Sequence, residues 1–178
     1  MTTRRRILVT SALPYANGAI HLGHMLEHVQ TDIFVRFQRL QGHECIYVCA
    51  DDVHGTAVML NAQAAGQTPL DYAAEITKAH IQDFQAFQIS HDCYDTTHSD
   101  DNEQLSAEIY SRLLASGNIE KAAVEQLFDT EKGLFLADRF VVGGCPACKT
   151  PEQYGDNCDA CGATYAATDL IDPRSKLS

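Results

Sequence analysis

No apolar run in the 178 residues approaches the roughly 20 needed for a membrane-spanning helix. That excludes a helical membrane protein and leaves a soluble chain with no membrane partner as the expectation. A secretion signal is also lacking. Arg4, Arg5 and Arg6 precede an apolar run that is short and ends at Pro14 and Tyr15 without a small-residue cleavage site, so the expected compartment is the cytoplasm. Positive charge is scarce: 13 Lys and Arg face 24 Asp and Glu, for a net charge of −11. A protein that grips nucleic acid by charge alone is excluded. The balance is uneven, with five arginines against Glu27 and Asp32 in residues 1–42 and eight basic against 22 acidic side chains thereafter. Seven cysteines, an odd number without a secretion signal, do not make a disulfide framework. Internal repeats and low-complexity runs are absent.

What is present is enough apolar residue, 45% of the chain, to bury a core in one large or two small domains. Residues 7–13 form an apolar run suited to a buried parallel strand. From Leu22 the apolar residues recur at helical spacing through Met25, Leu26, Val29, Ile33, Phe34, Phe37 and Leu40, until Gly42 stops them. Residues 45–50, CIYVCA, read as a second strand, so the chain opens as a βαβ crossover. Helices are predicted over 56–65, closed by Gly66, and over 69–87, with Thr68 as N-cap and Pro69 at the first position. A strand follows at 92–97, then a helix at 100–116 ended by Gly117. Beyond that, 124–128 and 134–142 read as strands around a turn at 129–133. A boundary at about residue 117 is expected.

The stretch 12–24, ALPYANGAIHLGH, joins the first strand to the first helix through a turn built on Pro14, Asn17 and Gly18. Backbone N–H groups and the positive end of a helix dipole converge at such a junction, where phosphate is the default ligand. His21 and His24 stand three apart in the first turn, so both imidazoles face one side and could donate to phosphate oxygens. The loop Asp51-Asp52-Val53-His54-Gly55-Thr56 lies at the carboxyl end of the second strand, where open α/β sheets bind ligands.

His21-Leu22-Gly23-His24 behind the Pro14 turn resembles the signature of class I aminoacyl-tRNA synthetases. The full stretch 12–24, with Ala50 to Thr56, is similar to the methionine branch of that family, bacterial type, rather than to its valine, isoleucine or leucine branches. The resemblance implies ATP-dependent activation of methionine to the adenylate and transfer to tRNA(Met), with ATP entering together with Mg2+. His21 and His24 would then stabilise charge on the phosphate in transit, with His21, Gly23 and His24 binding ATP. Gly23 would leave room for the nucleotide. Asp52 would hold the substrate ammonium, while Ala12, Leu13 and Tyr15 line one side of the methionine pocket. Asp51 is read as a loop cap, and no role beyond loop hydrogen bonding is assigned to His54.

A second site stands at the other end. Cys145-Pro-Ala-Cys148 and Cys158-Asp-Ala-Cys161 supply four thiolates on two tight turns, the pattern of a closed tetrahedral shell. Structural Zn2+ is favoured, with tetrahedral iron the substitute. Cys148 is followed by Lys149 where the second pair has Gly162, so the first turn is expected to be the less regular. Cys45, Cys49 and Cys93 are read as core residues.

By resemblance, residues 1–117 are the first half of a Rossmann-like parallel-sheet catalytic domain, and 118–178 are part of a connective insertion carrying the zinc knuckle. The family's Lys-Met-Ser-Lys-Ser loop does not occur before Ser178. The expectation is therefore a fragment that folds but is inactive, or nearly so, alone. Two other readings stay open: a small-molecule nucleotidyltransferase sharing the histidine motif, and a non-catalytic zinc-knuckle module that binds RNA or protein. Oligomeric state is not legible.

Overall fold

The computed structural model describes residues 3–178. The chain divides after Asn118 into two compact units. The first holds β1 (Arg6–Thr10), α1 (Leu22–Leu40), β2 (Glu44–Asp51), α2 (Thr56–Ala65), α3 (Pro69–Ala86), β3 (Cys93–Thr96) and α4 (Asp100–Ala115). The strands form a parallel sheet in the order β1-β2-β3, with Arg6 opposite Glu44 and Val48 opposite Cys93. Parallel neighbours need crossovers, which α1 and the α2–α3 pair supply. The α/β, Rossmann-like reading of this half agrees with that architecture.

Local chemistry fixes the ends of the helices. Thr68 accepts from the Asp71 N–H at 3.1 Å at the start of α3, and Gly66 takes the left-handed conformation that closes α2. β1 ends three residues earlier than the apolar run suggests. At Ser11 side-chain bonding replaces the ladder: its hydroxyl, buried, lies 2.9 Å from the Tyr47 hydroxyl and 3.3 Å from Cys49 Sγ. The chain then meets β2 again at its carboxyl end, where the Asp52 N–H donates to Pro14 O at 2.9 Å and the Ala16 N–H to Asp52 O at 2.8 Å.

The buried face of α1 is not its apolar stripe. Met25, His28, Asp32 and Val35 turn inward, whereas Leu22 is 87% exposed and Leu40 84%. The inward polar groups are bonded, as burial demands: Asp32 accepts from the Ser90 N–H and from Arg36 Nε, and His28 Nδ1 lies 3.2 Å from the Tyr47 hydroxyl. Of the three cysteines read as core, Cys45 and Cys49 are buried, but Cys93 is exposed. It sits on β3, which is paired on one side only.

The second unit, Ile119–Ser178, departs more from expectation. The strand predicted at 124–128 shrinks to β4 (Phe128–Asp129), paired with β5 (Leu134–Phe135); Val124 lies outside it and is 81% exposed. The turn between them is as read: the Asp129 carboxylate accepts from the Glu131 and Lys132 N–H groups, each at 2.9 Å. The strand predicted at 134–142 is broken. A single 3-10 turn at Asp138–Phe140, closed by the Phe140 N–H on Ala137 O, separates β5 from β6 (Val141–Gly144). β6 pairs instead with β7 (Gln153–Tyr154) and β8 (Ile171–Ser175), over a core of Leu136, Val141 and Leu170.

Candidate functional site

His21 is the N-cap of α1, and it caps with its own ring. Nδ1 accepts from the Gly23 N–H at 3.1 Å and the His24 N–H at 3.4 Å, while His24 Nδ1 accepts from the His21 N–H at 3.5 Å. A capping box built from two histidines is the result. The rings stack with centroids 3.7 Å apart at 16°. Because each Nδ1 accepts, the proton of each neutral ring is assigned to Nε2. Two N–H donors therefore stand side by side at the mouth of the helix.

This arrangement corrects the expectation of free backbone donors at the helix start. The Gly23 and His24 N–H groups are spent on the His21 ring, and the Met25 N–H on His21 O. Gly23 also has a local reason. A Cβ there would lie 3.0 Å from Cε1 of His21, so the missing side chain makes room for the capping ring. Burial, and then the charges of His21 and His80, hold the His24 pKa below its ordinary value. A neutral donor follows.

Tyr15 and Asp52 are brought together by the bridge between the segment after β1 and the end of β2. Asp52 is exposed, Tyr15 half-buried, and Ala12 and Leu13 exposed on the same segment. The Ala12 N–H donates to Glu27 Oε1 on α1 at 2.6 Å, a contact with no sequence signal. His54 lies with Nε2 3.1 Å from Nδ1 of His98, the two rings edge to face. They line a cavity of about 550 Å³ that also includes Thr97, Ser99 and Asn102.

Asp51 is not a loop cap. It is fully buried, and its Oδ1 accepts from His80 Nδ1 at 2.8 Å and from the Tyr94 hydroxyl at 2.6 Å. His80, equally buried on α3, also places Nε2 2.7 Å from Gly18 O. A carboxylate and a carbonyl both accept, so both ring nitrogens donate and the ring is an imidazolium. Burial opposes that charge, but the bonds to Asp51 and Gly18 outweigh it and hold the pKa above its ordinary value. Sequence reasoning missed His80. The alternation of β2 does carry a signal for Asp51, since Cys45, Tyr47 and Cys49 face inward and Asp51 continues that face.

In the second unit the four cysteines converge. Their Sγ atoms all lie within 4.8 Å of one another, with Cys145 to Cys161 at 3.9 Å and Cys148 to Cys158 at 3.6 Å. A tetrahedral shell with bonds of about 2.3 Å would separate its sulfurs by about 3.8 Å, so the set fits a metal ion. Nothing in this geometry is a disulfide, and all seven cysteines are free thiols. The two turns match closely. The Lys149 N–H donates to Cys145 O and the Gly162 N–H to Cys158 O, at φ values of 66° and 73°. Lys149 thus adopts the left-handed conformation that glycine takes in the other turn, contrary to the expected irregularity. The Thr150 hydroxyl and backbone pull Cys148 down to about 6. Cys161 is pushed up to about 12: a backbone bond from Ala163 lowers it, but hydrogen bonds to the Cys148 and Cys158 sulfurs together outweigh that. Four sulfurs this close could hold a cation among them.

A three-stranded parallel sheet joined by helical crossovers defines a Rossmann-like α/β class of protein. Residues 7–178 match the family model described as tRNA synthetases class I (M), and the chain belongs to that family. It is 62% identical over 174 residues to a methionine–tRNA ligase of Dichelobacter nodosus, covering 98% of this chain and 26% of that protein. Mycobacterium tuberculosis methionyl-tRNA synthetase in complex with methionyl-adenylate superposes with a TM-score of 0.69 at 25% identity, over 85% of this chain and 31% of that one. A second structure of that enzyme bound to methionyl-adenylate gives 0.68. The chain thus spans about a quarter of the length of the curated relative it matches.

Proposed function

We propose that this chain supplies the methionine- and ATP-binding half of a methionine–tRNA ligase acting in the cytoplasm, with methionine, Mg2+–ATP and tRNA(Met) as substrates. In the activation step the methionine carboxylate oxygen bonds to the α-phosphorus, the bond from that phosphorus to the bridging oxygen breaks, and pyrophosphate leaves with the electron pair. The carboxylate is already a nucleophile, so alignment and charge stabilisation are what the protein must add. His21 and His24 donate from Nε2 to α-phosphate oxygens as their charge grows, and transfer no proton. Gly23 leaves room for the nucleotide and, by admitting the capping ring, sets those two donors. Asp52 holds the ammonium by a charge-assisted hydrogen bond. Ala12, Leu13 and Tyr15 flank the thioether side chain, which an aromatic ring suits.

Residues 1–117 act as the first half of the catalytic domain and 118–178 as part of a connective insertion. Cys145, Cys148, Cys158 and Cys161 hold a structural Zn2+, which cross-links two turns and carries no step of the reaction. The observation that supports the catalytic reading best is the stacked pair of imidazoles at the start of α1. The test is methionine-dependent ATP–pyrophosphate exchange by the full-length gene product. His24→Gln should lower kcat by about 10²–10³-fold while methionine binding changes less than about twofold. Unchanged kcat, or exchange that does not require methionine, would refute the assignment.

A further inference from the structure

The turn that delivers His21 is held from behind. Its two carbonyls, Asn17 O and Gly18 O, are taken by side chains from α2 and α3. Asn61 Nδ2 donates to Asn17 O at 2.7 Å and the Tyr72 hydroxyl donates to the same oxygen at 3.1 Å. His80 Nε2 donates to Gly18 O at 2.7 Å. His80 is itself fixed, because Asp51 Oδ1 accepts from its Nδ1 and Tyr94 holds the same oxygen. Asp51 belongs to β2 and lies next to Asp52, so one buried bond path joins the strand end to the turn that carries the histidines.

We propose that His80, Tyr72 and Asn61 form a clamp that positions the Asn17–Gly18 turn, and through it His21 and His24, for the phosphate. The argument rests on the reading of that pair given above. Three observations point the same way. Both carbonyls of one exposed-to-half-buried turn have bonds to side chains more than 40 residues distant. The Asp51–His80 pair is wholly buried, and an ion pair out of water is a costly element to build for stability alone. Burial first, and then the nearby charges of His21 and His80, hold the His24 pKa below its ordinary value, so His80 adds to what keeps that ring a donor. These are positioning residues: none of the three touches the reacting atoms in this account.

The test uses the full-length gene product and two readouts. In His80→Gln, and in the milder Tyr72→Phe, amide hydrogen exchange over residues 15–21 should rise about tenfold while β1 and β2 keep their protection. kcat for ATP–pyrophosphate exchange should fall about tenfold or more in His80→Gln, with the KM for methionine changing less than about twofold. Unchanged hydrogen exchange over 15–21 in both variants would overturn the clamp. So would faster exchange with kcat intact, which would make the contacts purely structural. If His80→Gln does not fold, Tyr72→Phe decides on the same criteria. A wild-type protein without methionine-dependent exchange would instead sink the functional reading, and the hydrogen-exchange comparison would still judge the clamp.

Discussion

A histidine that caps its own helix has one ring nitrogen left for a ligand. His21 and His24 spend Nδ1 on backbone N–H groups, so what they offer a phosphate is two Nε2–H donors on stacked rings. The other buried imidazoles divide by partner. His80, between a carboxylate and a carbonyl, is raised; its stabilising contribution is complete below the unfolded pKa and disappears as pH rises through the folded value. His28 and His91, 3.3 Å apart in an aromatic pocket with Phe84 and Tyr47, are lowered chiefly by burial, His91 to about 4. A depressed folded pKa gives the opposite sign. Their contribution is complete above about pH 6.5 and is lost as pH falls towards 4. His91→Gln should therefore flatten the acid limb of a urea-unfolding stability profile between pH 6.5 and 4, by up to about 1 kcal/mol per pH unit. Parallel profiles for variant and wild type would show that His91 is not buried neutral.

At the scale of elements, the two cysteine turns offer a controlled comparison. Lys149 and Gly162 hold the same left-handed backbone, which costs a side-chain-bearing residue about 1 kcal/mol. A Cβ on Gly162 would meet nothing within 4 Å, so Gly162→Ala isolates backbone strain. It should weaken metal affinity about fivefold, read by competition with a chromophoric chelator; an unchanged affinity would mean that the turn relaxes at no cost. The same elements mark how much the chain discloses. Thr68, Gly66 and Gly117 punctuate helices by local chemistry, and the cysteine spacing is local too, so these were readable in the residues themselves. The inward face of α1 was not, because His28 and Asp32 occupy it on the strength of partners at Tyr47 and Ser90, far along the chain. Asp51 and Asp52 look alike as neighbours. Strand alternation buries one and exposes the other, and only the fold reveals His80 waiting behind the first. The predicted strand at 134–142 failed because its buried residues, Leu136, Val141 and Val142, lie on either side of a turn, while Phe135 between them and β4 stays exposed.

For the whole molecule, the division after Asn118 separates two kinds of stability. Among the described residues all four α-helices lie in the first unit, which rests on apolar burial and paired buried charge. Ile119–Ser178 has short strands and a small core, and in domains below about 70–80 residues a staple such as a metal commonly supplements so small a core. Stripping the metal with a strong chelator should abolish hydrogen-exchange protection across Val141–Gly144 while leaving the helical circular dichroism signal unchanged. Loss of the helical signal, or undiminished protection in that strand, would contradict separate stabilisation of the units. The role of His21 and His24 in the first unit is tested most directly by a crystal structure with a non-hydrolysable methionyl-adenylate analogue. The account predicts its phosphate-mimicking oxygens within about 3 Å of Nε2 on His21 or His24, with the ammonium on Asp52. An analogue held instead by the Gly23 and His24 backbone N–H groups, with the His21 ring swung off its cap, would contradict it.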